Sequence, residues 1–278
     1  MTQTRTKNTT VTTETTQSIN GRAVPLERVE EHVLRDDASG RVVERIIQRY
    51  DPQGNPTPPV RERTEEVKRP DGSSTTLVST YRGDINGNMQ LTQKQVTEVR
   101  TSGSTEQTET VTERPTINGS LDTVEKQQSV KVKDASGGGY TQDTTTYRPS
   151  ANGGFYAAVR ATTEHKEQGS QSTDSTAEYE AAPGGTLALH SQTVTKTVAG
   201  ANGAKDTVVD IFGTNVPGIV NTGGALKLQE RQLIQQTPGP NDTVKQTTSV
   251  QRPTINDPNT LSAPRELSET VCKGSCKP

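Results

Sequence analysis

Glycine-bearing turns recur along this chain at a near-constant interval, and that recurrence limits the fold more than any other feature. One series runs Asp37-Ala38-Ser39-Gly40, Pro70-Asp71-Gly72-Ser73, Thr101-Ser102-Gly103-Ser104 and Asp134-Ala135-Ser136-Gly137. It continues through Gly169-Ser170, Asn202-Gly203, Pro238-Gly239 and Gly274-Ser275. Successive glycines are about 31 to 36 residues apart, a spacing that belongs to repeat architectures. A second series lies between these turns. It includes Asn20-Gly21, Gly54-Asn55, Asn86-Gly87, Asn118-Gly119, Asn152-Gly153, Gly184-Gly185, Pro217-Gly218 and Asn256-Asp257. Asn-Gly marks hairpins because both residues accept positive φ. The stretch from Ile219 to Ala225 reads as an insertion within one repeat.

Between turns the pattern has period two. Thr108, Thr110 and Thr112 share one face, opposite Glu109, Val111 and Glu113. Thr193, Thr195 and Thr197 face away from Val194, Lys196 and Val198. That is strand periodicity. The segments Leu26 to Asp36 and Arg41 to Gln48 carry charge spacings compatible with a helix. The repeat frame and the β-branched pairs Val42-Val43 and Ile46-Ile47 favour strands there. The expected fold is all-β: tandem β-hairpins, elongated, with little conventional core. It has about sixteen strands in about seven units of about 33 residues. Residues 1–24 form an N-terminal half-repeat, 25–261 the array and 262–278 a C-terminal half-repeat.

Composition sets what such a chain can do. Hydrophobic residues make up 27%, aromatics 3%, and tryptophan is absent. This leaves little apolar material to wall a catalytic pocket or to span a membrane. Lys plus Arg is 31 against 33 for Asp plus Glu, with the signs interspersed. No basic block suited to nucleic acid results. G-x-S-x-G, P-loop and H-E-x-x-H patterns are missing. Glu30-Glu31 and Glu65-Glu66 read as solvated strand faces, and His32, His165 and His190 as solvated or edge histidines scattered in strands. Arg82-Gly83-Asp84 and the calcium-like Asp84-Ile85-Asn86-Gly87-Asn88 both overlap a regular turn. No enzyme activity, cofactor or metal is expected.

The terminal phases suggest how units join. The first strand, Thr9, Thr10, Val11, Thr12, Thr13, Glu14, Thr15 and Thr16, precedes a turn of the second kind and lacks the hairpin partner of later units. The last hairpin stops after its turn at Gly274-Ser275. The two halves sum to one unit. They can close a ring within one molecule, or the first strand can complete the last unit of a neighbour. A ring needs an apolar hub, so the filament is favoured. Thr9 to Thr16 is then the donor, and Leu267, Glu269, Val271 and Cys272 belong to the acceptor.

Cys272 and Cys276 flank the last turn. A disulfide fits hairpin geometry, and a metal site would need more ligands than two cysteines. An oxidising compartment follows, outside the cell or at its surface, although residues 1–24 hold no apolar signal-peptide core. Asn8, Asn118 and Asn241 match the N-linked glycosylation pattern.

Tyr50-Asp51-Pro52-Gln53-Gly54-Asn55 resembles the Tyr-Asp-x-x-Gly-Asn/Arg core of YD/RHS repeats. The resemblance implies tandem hairpins outside a bacterial cell. Strand exchange of the kind described is similar to that of donor-strand pilus subunits. The functional expectation is a structural, self-polymerising subunit of an extracellular filament. The alternative is a monomeric surface repeat protein, an adhesin-like shell or propeller that binds glycans or other surface proteins.

Overall fold

The computed structural model describes residues 2–7, 10–19, 22–84, 86–135, 137–182, 184–214, 225–241, 243–254, 257 and 259–273. The sequence insertion at Ile219 to Ala225 therefore lies almost wholly outside the described residues. The architecture is all-β. Strands β1 to β6 are Thr2–Lys7, Thr10–Ile19, Arg22–Asp37, Gly40–Arg49, Val60–Lys68 and Ser74–Gly83. Strands β7 to β12 are Met89–Ser102, Thr105–Pro115, Leu121–Lys133, Gly139–Pro149, Phe155–Gln168 and Gln171–Ala181. Strands β13 to β17 are Leu187–Ala199, Lys205–Gly213, Lys227–Pro238, Thr243–Gln251 and Arg265–Lys273. One short 3-10 turn, Ala201–Gly203, is the only helical element among the described residues. Both segments with helix-compatible charge spacing are strands, β3 and β4.

The chain groups into two compact units. One comprises Met1–Gln128 with Tyr147–Phe155, and the other comprises Ser129–Thr146 with Tyr156–Pro278. In the first unit, β1 to β8 pair antiparallel in sequence order. In the second, β11 to β17 do the same. Consecutive hairpins are thus the building principle, as the turn spacing predicts. The described strands number one more than the sequence suggests, because Thr2–Lys7 forms β1.

Two turn types set the hairpins. Ser102↔Thr105 and Gln168↔Gln171 close around Gly103-Ser104 and Gly169-Ser170, with φ of +59° and +61° at the glycines. Glycine in the first central position is what a type II′ turn requires. Most other turns span five residues. In Asp84 to Asn88, the Gly87 N–H donates to the Asp84 carbonyl and the Asp84 N–H to the Asn88 carbonyl. Gly87 is left-handed, with φ +82°, as a three-residue hairpin loop requires. Asp51–Asn55, Arg69–Ser73, Thr116–Ser120 and Ser150–Gly154 repeat the pattern. At Asn86, Asn118 and Asn152 only the following glycine has positive φ, whereas Asn202-Gly203 has both residues positive. The three-residue loop assigns asparagine to the right-handed part of the turn.

β-Bulges recur along the chain, although the β4–β5 pair keeps a regular register. The register shifts leave Leu26, Thr92, His190, Gln229 and Leu267 as extra residues. Each lies a few residues beyond a connection of the second series. Leu34 is a further bulge, near a turn of the first series. The bulged strand gains twist, and its register against its neighbour is fixed.

Little is buried. Among the described residues the buried apolar side chains are Val42, Val43, Ala158 and Val250, and none is fully enclosed. Cross-strand pairs take the place of a core. Threonine hydroxyls meet at Thr97–Thr110 (3.0 Å), Thr163–Thr176 (2.9 Å) and Thr197–Thr207 (3.0 Å). Arg231 forks onto Asp210, directly opposite, at 2.6 and 2.8 Å.

Candidate functional site: the β17 edge

β17 differs from the strands that precede it. Its residues Arg265 to Val271 are all exposed, whereas those of β16 are mostly half-buried. Leu267 and Val271 are 57% and 63% exposed. β-Branched Val271 with Thr270 suits the extended backbone. Pairing with β16 sets the register, with Thr247 opposite Glu269 and Lys245 opposite Val271. Lys245 Nζ lies 2.9 Å from Glu269. The first part of the strand carries Arg265, Glu266 and the Leu267 bulge, all of which blunt an edge. From Ser268 to Lys273 the ladder is regular.

Cys272 is disulfide-bonded. The only other cysteine in the sequence, Cys276, lies outside the described residues. A covalent link at this position limits fraying of the strand end.

The expected donor segment is placed differently. Thr10 to Thr16 belong to β2, which has neighbours on both sides within the chain. Thr4 stands opposite Thr13 from β1, and Val29 stands opposite it from β3. The expectation that the first strand lacks a hairpin partner is therefore corrected. The β1 sequence, Thr-Gln-Thr-Arg-Thr-Lys, alternates as strands do, but the turn that joins it to β2 carries no glycine. Thr9 lies outside the described residues.

Other sequence features resolve into turn architecture. Asp84 Oδ1 accepts the backbone N–H groups of Asn86 (2.8 Å) and Asn88 (2.9 Å). Those bonds hold its carboxyl below the ordinary value of 3.8, led by the Asn88 N–H. Its oxygens thus serve the turn. Asp51 does the same for Gln53 and Asn55, and Asp71 for Ser73. Among the glycosylation candidates, Asn118 and Asn241 sit on exposed turns. Ser120 Oγ is 2.8 Å from Thr116 Oγ1. Asn8 lies outside the described residues.

Two surface features escaped the sequence. A groove of about 410 Å³ lies on one face of the second unit, lined by Val130, Val132, Asp143, Thr162, Glu164 and Ala177 among others. His165, far from solvated, has a side chain only 18% exposed and contacts Asp174, Glu167 and Tyr140. No spacing in the sequence links these four, since strand register alone brings them together. Among the described residues, no group of three or more His, Cys, Asp or Glu side chains is placed to hold a metal. Among the described residues, no helix is long and apolar enough to cross a membrane. Comparison with known proteins found no matching family model, curated protein or solved structure.

Proposed function

We propose that the chain is a structural subunit of an extracellular filament, joined to further copies by strand pairing along β17. The observation that carries this reading is the exposure of the regular part of β17, from Ser268 to Val271. An exposed, regularly paired strand with apolar Val271 on it is a template for strand addition. The disulfide at Cys272 supports an oxidising setting. Polar strand faces with mixed charge keep the lateral surfaces soluble. The likeness of Tyr50 to Asn55 to YD/RHS repeats agrees with a bacterial cell-surface location. Because β2 already has two neighbours, the strand offered by the next subunit is β1, Thr2–Lys7.

Negative-stain electron microscopy with light scattering tests the reading. Thin fibres with an axial repeat are expected from the full chain, and soluble single particles from a variant lacking residues 1–7. Single particles from the full chain at all concentrations would overturn it. The groove beside Val130 and Val132 favours the second reading, a monomeric surface protein that binds a glycan or peptide there. Monodisperse full-length protein that binds a glycan array would support that alternative.

A further inference from the structure

We propose that His165 is a proton-operated clamp that seats the turn between β9 and β10 onto β11 and β12. The inference rests on the fold of the second unit and is independent of the assembly reading. His165 lies on β11, directly opposite Asp174 of β12. Its Nδ1 is 2.7 Å from Asp174 Oδ1, and its Nε2 is 3.3 Å from Glu167 Oε1. Both ring nitrogens therefore face carboxylates. A neutral imidazole has one N–H and one lone pair, so it would aim the lone pair at one carboxylate. The imidazolium donates to both.

The ring face is also used. Tyr140 of β10 stacks on His165 with centroids 5.0 Å apart and planes 20° from parallel. Lys131 Nζ of β9 sits 3.8 Å from the Tyr140 centroid. A side-chain column thus runs from β9 through β10 and β11 to β12. The backbone is tied at the same place. The Glu167 N–H donates to the Gly138 carbonyl at 2.6 Å. A side chain at Gly139 would meet the His165 carbonyl oxygen at 2.6 Å. The turn lies directly on β11.

The charged groups around the ring are Lys131 and Lys133 from β9, Asp134 from the turn, Glu167 from β11 and Asp174 from β12. Two lysines with an imidazolium balance three carboxylates. Losing the proton leaves one negative charge in excess and removes one of the two donated bonds.

The direction with pH follows from the contacts. The Asp174 bond raises His165 above the ordinary 6.5, burial opposes, and Glu167 adds to the rise. A raised folded value means that the stabilisation is complete below pH 6.5 and is lost as pH rises through the folded value.

The experiment is amide hydrogen exchange on the full chain, corrected for intrinsic rate, alongside NMR titration of the His165 ring. Protection at Glu167 and Gly139 should be flat below about pH 6 and fall about threefold or more by about pH 9. The ring should titrate above 6.5. His165→Gln should show the low protection at every pH, and Asp174→Asn should move the midpoint down. The Asp174→Asn shift keeps the proposal testable if His165→Gln folds poorly. Protection that ignores pH, or a ring that titrates at or below 6.5, would overturn the clamp.

Discussion

Val42 and Val43 in the first unit and Val130 and Val132 in the second are the same residue type in similar strands, yet they meet different fates. Val42 and Val43 are 9% and 7% exposed, on opposite faces of β4. Val130 and Val132 share one face of β9 and are 41% and 38% exposed. The adjoining side chains differ. Arg41 and Arg45 flank Val43 on its own face, and Glu31 draws both guanidinium groups to itself, at 3.5 and 2.8 Å. Val33 stands directly opposite Val43 on β3, and Arg41, Arg45, Thr64, Glu66 and Thr76 line with Val43 a groove of about 190 Å³. Around Val130 and Val132 the neighbours are Thr141, Asp143, Thr162 and Glu164. Shorter threonine side chains leave a groove. In this fold burial comes from lateral neighbours, and the long arginines beside Val43 accompany the smaller of the two grooves.

The sharpest way to break the region around Val43 is at its turn. Gly40 has φ +147°, and a side chain there would collide with the Glu66 carbonyl oxygen on β5. Gly40→Ala should lower stability by roughly 3 kcal/mol, read as a denaturation midpoint. At the corresponding turn of the other region, Gly139→Ala meets a movable Asp134 carboxylate as well as backbone. It should cost less.

The valines give the next largest contrast. Val43→Ala removes two buried methyl groups and should cost about 1.5 kcal/mol. Val132→Ala should stay within about 0.5 kcal/mol. Equal costs at the two positions would remove the basis for the comparison. Arginine substitutions separate stem from charge. Arg45→Ala should cost about 1 kcal/mol, and Arg45→Met, which keeps the stem, about half that or less. If the two variants are equally destabilised, the ion pair with Glu31 matters and the stem does not.

Acid should produce the smallest effect, and a local one. The carboxyls of Asp51, Asp71 and Asp84 are held below 3.8 by turn hydrogen bonds to Asn55, Ser73 and Asn88 respectively. A depressed folded value means that their contribution is present above 3.8 and lost as pH falls through the folded value. Amide exchange below about pH 4 should therefore rise in the turns 51–55, 69–73 and 84–88. The Gly103-Ser104 and Gly169-Ser170 turns, which carry no acidic cap, should not respond. A uniform acid response would show that the caps add nothing.

The sequence made the hairpins legible because φ-positive glycines and period-two alternation are local properties. Gly54, Gly72, Gly87 and Gly119 announce their turns wherever the strands go. β1 was missed because Thr2–Lys7 reaches β2 through a connection without a turn glycine. The bulges were also missed. An extra residue at Thr92 or His190 changes no composition and shows only against a partner strand. The Arg41–Glu31–Arg45 cluster and the His165 column were out of reach for the same reason, since both are products of register. In Thr-rich strands that are polar on both faces, side-chain pattern specifies register weakly, and the turns and bulges have to supply it.

The recurrent bulge has a consequence for how such a chain can change over time. In each unit the strand-to-strand contacts run between neighbours in sequence. A stretch of two strands with its turn and its bulge carries its own alignment mark. Duplicating or losing one such stretch in the gene would leave the pairing of the remaining strands unchanged. Length is therefore a property that this fold can vary without redesigning any contact, and proteins built on the plan should differ more in repeat number than in repeat geometry.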